Sequence, residues 1–176
     1  PDSYTTRHLN TVLASVYELN KSVYASIGEA MAESVVSIGQ YEAGYQGALF
    51  AKVIPAQVLA QVRLSTVSLA QVRGIALARP FQGRLLKEWM GDLEAGRAAK
   101  IRDGIRMGMV EGQTTGQIVR RIMGTKAQGY ADGIIERSRR DVESMVRTAI
   151  SHTAQGVRES YYKANSDIVA EVSWLS

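Results

Sequence analysis

The sequence predicts a mainly α-helical protein, with a long amphipathic N-terminal helical arm followed by a helical domain that has a small β element at its C-terminus. Three observations support this fold class. Apolar residues recur at steps of three and four along most of the 176-residue chain. Prolines and glycines, which favour helix starts and stops, separate several of these periodic segments. Strand-like alternation of apolar residues is confined to the last residues of the chain.

The segment from about Ser3 to Leu49 has the pattern of one long amphipathic helix. Its predicted apolar stripe consists of Leu9, Leu13, Val16, Val23, Ile27, Ala30 and Ile38. A helix of this length cannot fold back to cover its own stripe, so we expect another helix or another subunit to pack against it.

Three glycines interrupt this pattern toward its end. Gly39, Gly44 and Gly47 each lower helix propensity, and together they predict a break near residues 39–50. We therefore assign residues 1–62 to a helical arm or hairpin.

Residues 63–176 are predicted to form a helical domain that continues beyond the printed sequence. Proline suits the first turn of a helix, so helices should begin near Pro55 and Pro80. After Pro80, apolar residues at helical spacing predict two amphipathic helices that are divided near Gly96.

A short capped helix is predicted around residues 115–123. Thr114 and Gln117 have the spacing of a capping box, and Gly124 can end the helix. The helix carries Arg120 and Arg121, which could bind phosphate or an acidic protein surface. Exposed arginines of this kind are more often simply solvated.

A second long helix should begin at Ser138 or Asp141 and end near Asn165. This start would place Arg139 and Arg140 in the first turn, where positive charge opposes the helix dipole. Either the two side chains have a use there, such as contact with DNA or with a partner protein, or they are tolerated in solvent.

Few side chains in the sequence are arranged as a nucleophile, acid or base for catalysis would be. His152 flanks the apolar stripe of the second long helix, and the adjacent hydroxyl of Ser151 points about 100 degrees away from it around the helix. No pair of carboxylates and no glycine-rich phosphate loop stands out. Cysteine is absent and only two histidines are present, far apart, so we expect no metal site, no cofactor and no enzymatic activity.

Charge is unevenly distributed along the chain. Residues 1–62 carry three Lys or Arg and five Asp or Glu, whereas residues 63–176 carry eighteen and twelve, so the balance changes from −2 to +6. A basic second half is compatible with nucleic acid or with an acidic protein partner. No stretch approaches the roughly 18 apolar residues of a membrane span, so we expect no membrane association.

The last segment, SDIVAEVSWLS, has strand periodicity. Ile168, Ala170, Val172 and Trp174 alternate with the intervening residues. A single strand leaves its backbone hydrogen bonds unsatisfied, so we expect a partner strand from a downstream segment, from an earlier part of the chain or from another chain.

The order of segments in the second half resembles the head morphogenesis family typified by the bacteriophage Mu head protein F. The similar segments run from about Pro80 to Ser176 and are PFQGRLLKEWM, IRDGIRMGMVEGQTTGQIVRRIMGT, VESMVRTAISHTAQGVRESYYKAN and EVSWLS. The family's Arg-Thr pair is matched by Arg147 and Thr148, and its later Tyr and Trp are matched by Tyr161 and Trp174.

This resemblance implies a structural minor capsid protein of a tailed bacteriophage, present in few copies in the virion near the portal vertex. Such a protein aids head assembly, DNA packaging or genome ejection, and no enzymatic activity is implied. The portal protein is the expected partner, with the major capsid or scaffolding protein and packaged double-stranded DNA as further candidates and an oligomer around the portal as the assembly. On this reading Arg147, Thr148, Tyr161 and Trp174 are structural or interface residues.

Two alternatives from other classes stay open. The basic second half is also compatible with a nucleic-acid-binding protein that has no role in a virion. The chain could equally be the N-terminal part of a larger enzyme whose active residues lie downstream.

Overall fold

The computed structural model describes the backbone of residues 2–169 and the side chains of residues 10, 11 and 13–169. It confirms the predicted mainly α-helical class. The helices are α1 (Asp2–Val53), α2 (Ala56–Leu59), α3 (Leu69–Arg73), α4 (Leu86–Val110), α5 (Thr115–Met123) and α6 (Ile134–Ala164). A π-helical turn, Gly74–Ala78, extends α3, and a 3₁₀ turn, Lys126–Gln128, precedes α6.

The chain divides into two compact units. The first unit comprises the residues up to Ala30 together with Lys87–Val146, and the second comprises Met31–Leu86 together with the residues from Arg147 onward. Each unit contains residues from both predicted domains, 1–62 and 63–176, because α1 and α6 each contribute residues to both units.

Helix α1 runs without interruption through the expected break at residues 39–50, so that prediction is wrong. Gly39 is buried, and a Cβ atom at this position would lie 2.6 Å from Val72 Cγ1 and 3.2 Å from Thr153 Cγ2. The glycine therefore allows the α1 backbone to approach α3 and α6 closely. The resulting packing outweighs the roughly 1 kcal/mol that a glycine costs inside a helix.

The buried face of α1 is displaced by about one residue from the predicted stripe. Val23 and Ala30 are exposed, whereas the neighbouring Tyr24 and Met31 are buried. The described buried residues of α1 are Asn20, Tyr24, Met31, Val35, Gly39, Glu42 and Gln46. Four of these seven are polar or glycine, so a count of apolar side chains alone selects the wrong face.

The core of the second unit forms where α6 packs against α1 and α3. Its buried apolar cluster is Val67, Val72, Val157 and Tyr161, and the ring of Phe50 meets Tyr161 edge-on with the centroids 5.2 Å apart. Asn165 closes this core, because its side chain accepts a hydrogen bond from Ser65 N at 2.7 Å and donates one to Ser65 O at 3.0 Å. The predicted end of the helix at Asn165 is confirmed.

Two predictions about α4 are wrong. The helix begins at Leu86 rather than near Pro80, because residues 81–84 form a tight turn first. It also passes through Gly96 without a break. One glycine costs about 1 kcal/mol in a helix, and the burial of Met90, Ile101 and Ile105 along α4 exceeds that cost.

Helix α5 has the predicted cap. The backbone N–H of Thr114 donates to Gln117 Oε1 at 2.7 Å, and the Thr114 hydroxyl accepts from the backbone N–H of Gln117 at 3.4 Å. Gly124 ends the helix with a φ of 91°, a value that favours glycine.

Helix α6 begins at Ile134, four residues before the earlier of its two predicted caps. Ser138 lies inside the helix, where its hydroxyl donates to the carbonyl of Ile134 at 3.0 Å. The preceding loop ends at Gly133, where any Cβ atom would collide with the backbone of Met123. This close approach fixes the turn into α6, and the spacing of apolar residues in the sequence does not predict it.

The contact at Gly39 can be tested with a matched pair of substitutions in α1. Gly39→Ala should lower the free energy of unfolding by about 1 to 3 kcal/mol, because Val72 is buried and its branched side chain cannot move aside. Gly44→Ala should raise it by about 0.5 to 1 kcal/mol, because no atom lies within 4 Å of the added Cβ. Urea denaturation measures both values, and a stabilised Gly39→Ala variant would contradict the packing described above.

The cap of α5 gives a second test. Thr114→Ala should lower the free energy of unfolding by about 1 kcal/mol, because the capping box loses its hydroxyl acceptor. Thr115→Ala removes the same side chain one position later, inside the helix, and should change stability by less than about 0.5 kcal/mol. Equal thermal stability of the two variants would show that the Thr114 hydroxyl does not cap α5.

Candidate functional site

The first pair of predicted contact arginines lies on α5, in the first unit. Arg120 Nε donates to the carbonyl of Gly116 at 3.2 Å. Arg121 forms an ion pair with Glu111, with 2.6 Å between the guanidinium nitrogen and the carboxylate oxygen. Arg120 has no acidic partner among the described residues, whereas the charge of Arg121 is largely neutralised within the unit.

The second pair lies on α6, also in the first unit. Because α6 begins at Ile134, Arg139 and Arg140 are in its second turn, and the predicted conflict with the helix dipole does not arise. Arg139 binds Glu136 at 2.7 Å and also pairs with Glu143, while Arg140 lies 3.7 Å from Glu136. These ion pairs stabilise the exposed face of the helix and satisfy both cations locally.

Arg147 and Thr148 are brought together with a distant turn in the second unit. They line an open depression with a volume of about 430 Å³, which we call the Arg147 depression. Its seven lining residues are Phe81, Gln82, Arg147, Thr148, Ser151, His152 and Gln155. The last five share one face of α6, because they follow each other at steps of one, three or four residues.

The opposite wall of the Arg147 depression is a tight turn that sequence analysis missed. Phe81 and Arg84 exchange two backbone hydrogen bonds, of 2.9 and 3.2 Å. Gln82 and Gly83 between them have φ values of 49° and 81°. The left-handed region suits Gly83 and is costly for Gln82. The sequence Pro-Phe-Gln-Gly predicts a turn, but it does not predict that the turn lies opposite α6.

His152 is one of the residues that line the depression. Its ring is 5.5 Å from the ring of Phe81, centroid to centroid. Burial lowers the pKa of His152, the nearby Arg79 lowers it further, and Glu159 acts in the opposite direction. Neutral imidazole is therefore favoured in the fold.

Tyr161 lies in the core of the second unit, with no exposed surface. Its hydroxyl is buried and has no hydrogen-bond partner among the described residues, and burial raises the pKa of this phenol. Trp174 and most of the predicted strand lie outside the described residues. Ile168 and Val169, where that strand was expected to begin, form part of a turn in which both N–H groups donate to the carbonyl of Asn165.

A second surface, also missed from the sequence, lies on α1 in the second unit. Between Ser34 and Ala51 the only charged residue is Glu42, which is 8% exposed and bonded to Arg158 at 2.9 Å. The exposed residues of this segment are therefore all uncharged: Ser34, Ser37, Gln40, Tyr41, Gly44, Tyr45, Ala48, Leu49 and Ala51. We call them the uncharged face of α1. Tyr41 and Tyr45 are stacked on it, with ring centroids 6.4 Å apart.

No cluster of three or more His, Asp or Glu side chains that could hold a metal ion occurs among the described residues. Within the same part of the chain, no helix combines the length and the apolar character needed to cross a membrane. Comparisons with protein-family models, with curated proteins and with solved structures found no match to this chain.

The environment of His152 predicts a pH dependence of stability. The unfolded chain takes up a proton on His152 as the pH falls below about 6.5, before the folded chain does, because the folded pKa is lowered. The free energy of unfolding should therefore decrease as the pH falls from about 7 to 5. His152→Gln should remove this part of the decrease, whereas His8 contributes equally to both proteins. Parallel pH profiles from urea denaturation would contradict the prediction.

Proposed function

We propose that this chain is a minor structural protein of a tailed-bacteriophage head, present in few copies at the portal vertex, where it aids head assembly, DNA packaging or genome ejection. The class of protein comes from the ordered segments between Pro80 and Ser176, which resemble the Mu F-like head morphogenesis family. The described part of the chain adds the surface with which such a protein would bind a neighbour.

The observation that carries the proposal is the uncharged face of α1. Tyr41 is 72% exposed and Tyr45 is 50% exposed, and the apolar Leu49 and Val53 continue the line at four-residue steps. Tyrosine is enriched at protein interfaces, and charged residues are depleted from the centres of such interfaces. A helix that offers about five turns of such surface is suited to assembly with another protein.

Arg139 and Arg140 on α6 favour a protein partner over general DNA binding. Arg139 and Arg140 are bound to Glu136, and Arg139 also to Glu143, so these cations would have to leave their carboxylates to reach phosphates. A protein that coats DNA gains its affinity from cations that replace condensed counterions. The portal is therefore the preferred partner, with the major capsid or scaffolding protein as the next candidates.

The proposal can be tested on purified phage particles and on the portal encoded in the same genome. The protein should be present in particles at few copies relative to the major capsid protein, as measured by quantitative mass spectrometry. Its absence from particles that contain the portal would contradict the proposal.

The interface can be tested by co-purification of the full chain with the portal. The double change Tyr41→Gln and Tyr45→Gln should weaken the association about tenfold or more, because exposed tyrosines often dominate interface energetics. Tyr130→Asn serves as the control, because Tyr130 is similarly exposed, lies in the first unit and has a left-handed φ that asparagine tolerates. Equal association of both variants with the portal would exclude the uncharged face of α1 as the contact surface.

A further inference from the structure

We infer that the Arg147 depression binds a phosphate group, either free or carried by a larger molecule. This inference stands apart from the proposed place in the phage head, because it rests on the chemistry of one surface of the second unit. It also differs from the family resemblance, which implies only that Arg147 and Thr148 are structural or interface residues.

Arg147 differs from the other arginines of α6 in its contacts. The described arginines nearest to it along α6, Arg137, Arg139, Arg140 and Arg158, each bind an oxygen of this chain. Arg147 is exposed and forms no ion pair or hydrogen bond with any described residue. No described residue engages its guanidinium group, and such a group matches the oxygens of phosphate with two parallel donors.

The residues that line the depression are suited to bind an anion. None of the seven lining residues is acidic, and Gln82, Arg147, Ser151 and His152 carry side-chain donors that form no hydrogen bond with a described residue. Ser151 lies one helical turn after Arg147 on the same face and is exposed. The carboxylate that acts on His152 is Glu159, which is bound by Arg79 at 3.5 Å and by Gln155 at 3.2 Å. An oxyanion in the depression would thus meet donors and little repulsion.

The size and shape of the depression suit a phosphate group. A volume of about 430 Å³ exceeds what inorganic phosphate needs, and the depression is open to solvent. The remainder of a phosphorylated molecule, or a nucleic acid backbone, can therefore extend away from the site. Several side-chain donors around one depression can serve the four oxygens of phosphate, which accept more hydrogen bonds than the two oxygens of a carboxylate.

His152 provides the readout. It lies against Phe81 in the depression, with Arg79 and Glu159 as the charged groups that act on it. A bound phosphate places negative charge near the imidazole and should raise the pKa of His152. The chain has only two histidines, so NMR can follow both ring signals of the full-length protein, with His8 as the reference for bulk ionic effects.

The experiment titrates the full chain with inorganic phosphate at constant ionic strength. We expect a saturable rise in the pKa of His152, with the affinity reduced about tenfold or more in Arg147→Gln because a charge-assisted hydrogen bond is lost. Arg147→Lys should bind with intermediate affinity, because it keeps the charge and loses the paired donors. The matched control is Arg106→Gln, which removes an exposed charge from α4 and should bind phosphate as the unchanged protein does.

Parallel titrations with a short DNA duplex and with acetate identify the source of the ligand. If the duplex changes the pKa of His152 and added phosphate reverses that change, the site exists and its ligand is nucleic acid. A response to phosphate alone would support the site and assign it to free phosphate or a small phosphorylated molecule. The inference is overturned if neither ligand moves the His152 signal beyond the His8 reference, if Arg106→Gln loses as much affinity as Arg147→Gln, or if acetate acts as strongly as phosphate.

Discussion

The close approach of three helices at Gly39 is the constraint on which the second unit depends. With no side chain on Gly39, the α1 backbone reaches the methyl groups of Val72 on α3 and of Thr153 and Val157 on α6. A second glycine, Gly156 on α6, allows a similar approach, since a Cβ there would lie 2.6 Å from Ile75 Cγ2. Between these contacts the unit has little freedom to shift, because branched side chains fill the space.

The close packing at Gly39 also determines which side chains of α1 face α6. Residues that follow Gly39 at steps of three and four face α6, so Glu42 meets Arg158 and Phe50 meets Tyr161. The same geometry turns Tyr41, Tyr45 and Leu49 away from the core of the unit. The proposed assembly surface and the core of the second unit are therefore two faces of one helix whose rotation is set at Gly39.

Features that depend on local hydrogen bonds could be predicted from the sequence. The cap of α5 at Thr114, its end at Gly124 and the end of α6 at Asn165 each follow from residues close together along the chain. Features that depend on packing between distant segments could not. The continuity of α1 and the true buried face of α1 both arise from contacts with α3 or α6, or from buried polar residues such as Asn20, whose amide donates to the carbonyl of Glu94.

The same distinction holds for the candidate sites. Arg147 and Thr148 could be singled out together because they are adjacent in the sequence and belong to a recognisable order of segments. Their neighbours Phe81 and Gln82 are more than sixty residues away and reach them only through the fold. The uncharged face of α1 could not be predicted for a different reason. Its tyrosines and small residues do not form the apolar stripe by which the buried face of a helix is predicted.

Helix α1 passes through Gly39, Gly44 and Gly47 as one helix, held there by the contact at Gly39. Hydrogen–deuterium exchange of the full chain, read by mass spectrometry over residues 34–53, measures whether this segment is one helix. We expect slow exchange throughout the segment, because the helical N–H groups are bonded and the glycine-containing turn at Gly39 is buried. Exchange of residues 39–50 at the rate of an unstructured peptide, with protection on either side, would contradict it.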